Sequence, residues 1–123
     1  MAKAVRHDGG MFRKSYYDGN TSSFGHATSG TACAAILWSR LWRQLGDDKY
    51  VPLIARSLRY CMDVQFTDPQ DENLTGAVLE KVLLPDGTDR NPYEIRAIGT
   101  VFFLMAAVQC LLDEKLSKAL KAV

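Results

Sequence analysis

The sequence predicts an all-α fold of antiparallel helical hairpins, interrupted by one long loop. Apolar residues recur at three- and four-residue steps in two segments that are separated by only a few residues, and a third segment is apolar on nearly every side. The chain has 123 residues, of which 47% are hydrophobic and 24% are charged, so it can bury one modest hydrophobic core. We therefore expect a single helical domain.

Residues 1–25 are expected to form a loop that leads into the first helix. They are rich in glycine, serine, aspartate and aromatic residues, and the run Asp18-Gly19-Asn20 is a turn signal. The aromatic side chains of this segment predict that it packs against the helices.

A helical hairpin is predicted over residues 27–66. Trp38 and Trp42 lie four residues apart on the apolar face of its first helix, and Gly46 follows as a helix terminator. Two tryptophans in this arrangement are more often part of the core than a platform for a sugar. The short connection to the second helix makes the two helices antiparallel neighbours.

Residues 67–96 are predicted to form a long acidic loop. The segment holds seven of the fourteen acidic residues and three of the four prolines, with a turn at Pro85-Asp86-Gly87-Thr88. A connection of this length in a compact domain either carries function or hides short secondary structure. Residues 77–84 are apolar enough for a short strand or a helical turn, and so few residues do not decide between the two by periodicity.

Residues 97–122 are predicted to form a buried helix followed by an amphipathic, lysine-rich tail. The helix is apolar on nearly every side from Ile98 to Leu112, as is typical of a helix at the centre of an assembly. Three long helices can hardly cover all of its faces, so an uncovered side would imply a partner. The apolar run is shorter than the about 20 residues that span a bilayer, so no contact with a membrane is expected.

Two of the predicted helices open with the same pair of residues, Gly30-Thr31 and Gly99-Thr100. A weak internal repeat and a chance identity are both compatible with this observation. If the helices are equivalent and parallel, the polar loops that precede them emerge at the same end of the packed helices.

Composition and spacing exclude several classes of function. A net charge of +1 gives no strong positive electrostatic field that would attract nucleic acid or an anionic membrane. His7 and His26 are the only histidines, no pair of cysteines has metal-ligand spacing, and no glycine-rich phosphate motif is present, so no metal and no cofactor are expected. The three cysteines lie in apolar helical patterns, which predicts buried free thiols. The N-terminus lacks a secretory signal, which predicts a cytoplasmic protein.

Several short motifs bracket the predicted helices. They are Gly30-Thr31-Ala32, the passage Leu41-Trp42-Arg43-Gln44-Leu45-Gly46-Asp47-Asp48-Lys49-Tyr50, and then Gly76-Ala77, Asp86-Gly87 and Gly99-Thr100. With these motifs, residues 24–112 resemble part of the six-hairpin, or α/α-toroid, superfamily of glycoside hydrolases, polysaccharide lyases and sugar epimerases. Members of that superfamily close a ring of helices. The resemblance therefore implies a partial toroid, completed by further subunits or by the remainder of a longer helical protein.

The resemblance also implies a carbohydrate-active protein that binds an oligosaccharide through the loops before its helices. The candidate catalytic residues are Glu94, Asp89 and His26, and the candidate substrate-binding residues are Tyr17, Asp18, Arg90, Tyr93 and Arg96. Glycoside hydrolysis needs an acid and a second carboxylate, whereas a lyase or an epimerase needs a base and a cation. These residue types suffice for either reaction, and no spacing identifies the reacting pair.

A non-catalytic helical interaction or assembly module is the alternative interpretation. In that interpretation Glu94 and Arg96 are a helix cap and a salt-bridge partner, and Asp89 is an ordinary turn residue. The expected partner is then a second copy of the chain or the remainder of a longer helical protein.

Overall fold

The computed structural model describes residues 5–11, 26–82 and 93–123. Within these ranges the chain is mostly helical, as predicted. The helices are α1 (Thr28–Leu45), α2 (Tyr50–Asp63), α3 (Ala97–Leu111) and α4 (Glu114–Lys121), and the short strands are β1 (His26–Ala27), β2 (Leu79–Val82) and β3 (Tyr93–Ile95). The strands form one antiparallel sheet in the order β1-β2-β3. That the helices belong to a toroid stays a prediction.

The central helix is α1, which packs against α2 on one side and α3 on the other. Its buried face includes Ala32, Ala35 and Trp38, and the two small residues let the neighbouring helices approach closely. Gly46 ends α1 in the left-handed region with φ of 63°, and its N–H donates to the Trp42 carbonyl at 2.8 Å. The predicted helix terminator is thereby confirmed.

The second helix of the predicted hairpin is α2, and it buries one apolar stripe. Val51, Ile54, Leu58 and Cys61 form this stripe at three- and four-residue steps. A hydrogen bond within the connection to α1 stabilises its turn, since the Asp47 carboxylate accepts the backbone N–H of Lys49 at 3.0 Å. The short, ordered connection explains why α2 returns along α1.

The N-terminal segment 5–11 forms a turn that packs on α1 and α2. The Arg56 guanidinium donates to two backbone carbonyls of this turn, at 2.9 and 2.7 Å. Gly9 has φ of 94°, and a Cβ there would lie 2.4 Å from the Arg56 carbonyl oxygen, so only glycine fits. Met11 is buried and its N–H donates to the Thr31 hydroxyl at 2.9 Å. The aromatic residues expected to pack the rest of the lead-in lie outside the described residues.

Regular structure in residues 67–96 corrects the prediction of one long acidic loop. A short 3₁₀ helix, Glu72–Leu74, begins after Asp71, whose carboxylate accepts the Asn73 N–H at 3.0 Å. The strands β2 and β3 follow, and β2 makes residues 79–82 of the apolar run a strand. The segment thus contains the short secondary structure that its length left open, which no local pattern identified because each strand is too short to show a period.

Only one side of α3 is covered, as the small number of long helices predicted, although its uniformly apolar sequence is typical of a helix buried on all sides. Gly99, Ala106 and Cys110 are buried on the side that faces the rest of the chain. The opposite side is exposed, because α1 and its neighbours cover only one face of α3. Seven of the twelve exposed large apolar side chains among the described residues lie there or directly after the helix: Ile98, Val101, Leu104, Met105, Val108, Leu111 and Leu112.

The amphipathic, lysine-rich tail forms the helix α4, which packs through one face and exposes its lysines. The axis of α4 is bent by 94° from that of α3, and Leu116 is fully buried. Asp113 begins α4 by accepting the Leu116 N–H at 3.0 Å, and it pairs with Arg43 at 2.8 Å. These two contacts, the first most of all, hold the pKa of Asp113 below its usual value.

The length and apolar composition of these helices bear on whether any of them could span a membrane. Among the described residues, no single helix is both long and apolar enough to cross a bilayer. Only α3 and α4 taken together, across their bend, pass the test of length and composition.

Candidate functional site

The small sheet brings together candidate residues that are far apart in sequence. Both β1 and β3 are antiparallel to β2, so they run in the same direction, and each leads directly into a helix. In the register of the sheet, His26 of β1 and Tyr93 of β3 both pair with Val82 of β2. Glu94 of β3 pairs with Lys81 of β2. Three of the predicted site residues therefore occupy one sheet at the start of α1 and α3.

The two helices that leave the sheet begin in the same way. Gly30-Thr31 and Gly99-Thr100 provide the third and fourth residues of α1 and α3. The Thr31 hydroxyl accepts the Met11 N–H at 2.9 Å, and the Thr100 hydroxyl accepts the Val78 N–H at 3.2 Å. The shared pair thus marks equivalent places, where the first turn of a helix binds a crossing backbone.

Glu80 of β2 is a buried carboxylate between these two helix starts, and the sequence analysis did not select it. Glu80 is 8% exposed, and it accepts the Ser29 N–H at 3.0 Å and the Ser29 hydroxyl. On its other side it lies against Gly99, where a Cβ would come within 2.5 Å of Glu80 Oε2. A carboxylate at the first turn of a helix is also favoured by the helix dipole. The sequence does contain one signal that could have identified Glu80, since it is the single acid within the apolar run of residues 77–84.

The direction of the packed helices follows from contacts at their two ends. Glu80 touches the first turns of α1 and α3. Arg43, near the end of α1, donates to the Gln109 carbonyl and to Asp113 at the end of α3. The two helices are therefore parallel, and the strands β1 and β3 that lead into them lie at the same end.

Glu94 and Arg96, the two candidates with described side chains, pair with each other. The Arg96 Nε donates to Glu94 Oε1 at 2.7 Å, and both side chains are partly exposed. This bond raises the pKa of Arg96 above its ordinary value. The salt-bridge interpretation is confirmed, whereas α3 has no side-chain cap, so the cap interpretation is wrong.

The other candidate residues are described only in part. Tyr17, Asp18, Asp89 and Arg90 lie outside the described residues. For His26 and Tyr93 the backbone is described, in β1 and β3. Within residues 5–11, 26–82 and 93–123, no group of three or more histidine, cysteine or acidic side chains is arranged to hold a metal ion.

The cysteines offer no activated nucleophile in the described structure. Cys61 and Cys110 are buried, but Cys33 is exposed on α1, which corrects the prediction that all three are buried. Burial raises the pKa of the Cys61 thiol to about 12 and also raises that of Cys110. Desolvation and the charge of Glu80 raise the pKa of Cys33 as well. Each thiol is thus less ionised at neutral pH than a free cysteine.

The exposed face of α3 contains a regular apolar stripe, here called the α3 seam. Its residues are Ile98, Val101, Met105, Val108 and Leu112, which are between 44% and 76% exposed. Their spacing alternates between three and four residues, like the a and d positions of a heptad. Leu104 and Leu111 lie beside the seam, and α3 contains no charged residue. Contiguous exposed apolar surface of this kind marks an interaction site.

Comparisons with known proteins assign no function to these surfaces. No protein-family model matches the chain, and no curated protein and no solved structure matches it either. The function is therefore inferred from the chemistry and geometry of the described residues.

Proposed function

We propose that the chain is a non-catalytic helical assembly module in which a second copy of the chain packs on the α3 seam. The observation that carries this proposal is the exposure of Ile98, Val101, Met105, Val108 and Leu112 in one stripe. Apolar residues at this spacing stabilise a helix pair by packing each side chain between those of the facing helix.

The size of the exposed surface supports a second copy as the partner. The apolar side chains of the seam and its two flanking leucines expose on the order of 600 Å², close to the about 800 Å² that each partner buries in a standard interface. With a rise of 1.5 Å per residue, the seam is about 21 Å long, which is enough for several turns of a facing helix.

The charge pattern of α3 supports the same partner. A two-fold axis places the same surface on both sides of an interface. Since α3 has no charged residue, a two-fold pair would join one apolar stripe to another and bury no unpaired charge. The alternative occupant, a helix from a different chain, would have to supply an equally apolar stripe.

Replacing Val101 and Val108 together with glutamate is expected to abolish this dimer. Both residues are exposed d positions of the seam, so the variant keeps its own core but would bury two carboxylates per copy in the interface. The measurement is solution mass by light scattering over a wide range of protein concentration. The unmodified chain should reach twice the mass of one chain, and the variant should stay at the mass of one.

Leu45→Glu provides the matched control. Leu45 is 61% exposed at the end of α1 and lies outside the seam, so its variant should dimerise like the unmodified chain. Circular dichroism of all variants verifies that they are folded. A chain that stays monomeric at every concentration, or a double variant that still dimerises, would contradict the proposal.

Saccharide binding at the small sheet is a second candidate function. The observation that favours it is the position of His26, Tyr93 and Glu94 on the two outer strands, beside Arg96. The sheet lies where α1 and α3 begin, which is the end at which the toroid enzymes place their clefts. Glu94 and the neighbouring Arg96 supply a carboxylate and a cation of the kind that acid–base chemistry on a sugar requires.

Glu94→Gln is expected to remove binding of an oligosaccharide if this second candidate is correct. The probes are oligogalacturonate, which is anionic, and cello-oligosaccharides, which are neutral, and the readout is the shift of backbone amide signals in β1 and β3. Stability should change by less than about 1 kcal/mol, because the pair with Arg96 is partly exposed. Glu72→Gln, at an exposed acid of the 3₁₀ helix, is the control. Absence of shifts with the unmodified chain would refute saccharide binding at this sheet.

A further inference from the structure

A groove between α2, α3 and α4 shares only Leu111 with the surface of the proposed assembly. Its volume is about 220 Å³, and its walls are mainly apolar. Apolar side chains in these walls are Ala55, Leu58 and Met62 from α2, Phe103, Ala107 and Leu111 from α3, and Leu120 from α4. The groove exists because α2 and α3 pack on α1 but contact each other only slightly, while α4 crosses them after its 94° bend. The two alanines leave space that larger side chains would fill.

Both charged side chains at the groove are positive. Arg59 and Lys121 contribute to its walls, and both residues are exposed. Among the described residues, neither forms an ion pair with a carboxylate. Ser117 adds a hydroxyl group. An apolar cleft with a few convergent polar groups is the usual form of a small-molecule site, and here those groups select an anion.

The size of the groove sets the size of its apolar occupant. Since a water-sized group takes about 30 Å³ of liquid volume, 220 Å³ accommodates on the order of seven groups of this size. This corresponds to one unbranched alkyl chain of medium length. Two long acyl chains of a membrane phospholipid do not fit into it.

We propose that the groove binds a single-chain anionic amphiphile of the medium-chain fatty acid class. Its carboxylate pairs with Arg59 and Lys121, and its alkyl chain lies between α2 and α3 against Leu58, Phe103 and Ala107. This site is separate from the seam itself, because Phe103 and Ala107 lie on a different face of α3, and Leu111 forms the border between the two surfaces.

Titration of the full chain with octanoate, below its micelle concentration, tests the proposal by calorimetry and by backbone amide shifts. We expect one octanoate per chain, with shifts in α2, α3 and α4 around the groove. Arg59→Gln with Lys121→Gln should weaken binding roughly tenfold, because it removes two exposed ion pairs. Arg40→Gln with Lys118→Gln removes the same charges from exposed residues of α1 and α4 outside the groove, and it should leave the affinity unchanged.

Further probes distinguish the contribution of the ligand's head group from that of its alkyl chain, and binding in the groove from binding at other surfaces. Octyltrimethylammonium has an alkyl chain one carbon longer and the opposite charge, so it should bind at least tenfold more weakly. Ala107→Leu should block the groove and abolish octanoate binding, whereas Val101→Glu with Val108→Glu should retain it. Phosphatidylglycerol vesicles should not bind.

Four results would overturn the proposal. They are equal binding of both amphiphiles, an unchanged affinity in the Arg59 and Lys121 double variant, shifts centred on the α3 seam, and vesicle binding that requires Arg59 and Lys121. The last result would assign the two cations to a membrane surface. None of these outcomes decides whether the chain dimerises, so the two proposals fail separately.

Discussion

Trp38→Ala is expected to lower the free energy of unfolding by about 3–5 kcal/mol. Trp38 is 2% exposed and lies in the hydrophobic cluster with residues of the neighbouring helices, such as Ile54 and Ala106. Removing the indole takes away its buried apolar area and leaves a cavity that the surrounding helices refill only in part. Such a loss is a large share of the about 5–15 kcal/mol that stabilises a typical domain. Urea unfolding followed by circular dichroism measures it.

Trp42→Ala is the matched control for this prediction. Trp42 is half-buried, and its indole N–H donates to the Asp48 carboxylate at 3.0 Å. Its removal should lower the free energy of unfolding by about 1–2 kcal/mol. A Trp38 variant as stable as the Trp42 variant would contradict the assignment of Trp38 to the core and reopen its interpretation as a sugar platform.

Glu80→Ala is expected to lower the free energy of unfolding by about 2–4 kcal/mol, although Glu80 is an acidic residue within a short strand. The substitution removes the acceptor of the Ser29 N–H and of its hydroxyl. The bond from the Thr28 hydroxyl to the Leu79 carbonyl then remains as a link between β2 and the first turn of α1. Glu72→Ala, at an exposed acid, should change stability by less than about 0.5 kcal/mol. Equal unfolding curves for these two variants would show that Glu80 does not link the sheet to the helices.

A double-mutant cycle with Gly99→Ala tests the same contact from the other side. A Cβ at Gly99 would lie 2.5 Å from Glu80 Oε2 and 3.1 Å from Val78 Cγ2, so Gly99→Ala alone should be destabilising. In the Glu80→Ala background the closer contact no longer exists, and the second substitution should be tolerated better. We expect a coupling energy above about 0.5 kcal/mol, and additive effects would argue against the contact.

The candidate site could be predicted only in part. The pair Glu94 and Arg96 was identified because both residues precede an apolar helix, and the structure joins them in one ion pair. Their position beside β1 depends on pairing between strands that are distant in the sequence, which no local pattern shows. Glu80 was missed for the same reason, because its partners Ser29 and Gly99 lie on two other elements.

Local patterns in the sequence alone determined the helical hairpin of α1 and α2. Their apolar stripes repeat at the helical period over many residues, and Gly46 supplies the left-handed conformation that ends α1. These features depend on neighbours within one turn of the chain, so they can be read without knowledge of the fold.

Only the tertiary structure decided which apolar residues are covered. The uniformly apolar sequence of α3 does not indicate which of its faces is covered, because a helix is buried only where another element packs on it, and α1 and its neighbours cover one face. The same packing leaves the α3 seam exposed, opens the groove beside α2 and α4, and exposes Cys33 while burying Cys61 and Cys110. Burial is a property of pairs of elements, and the elements that cover each other here, such as α1 and α3, are distant in sequence.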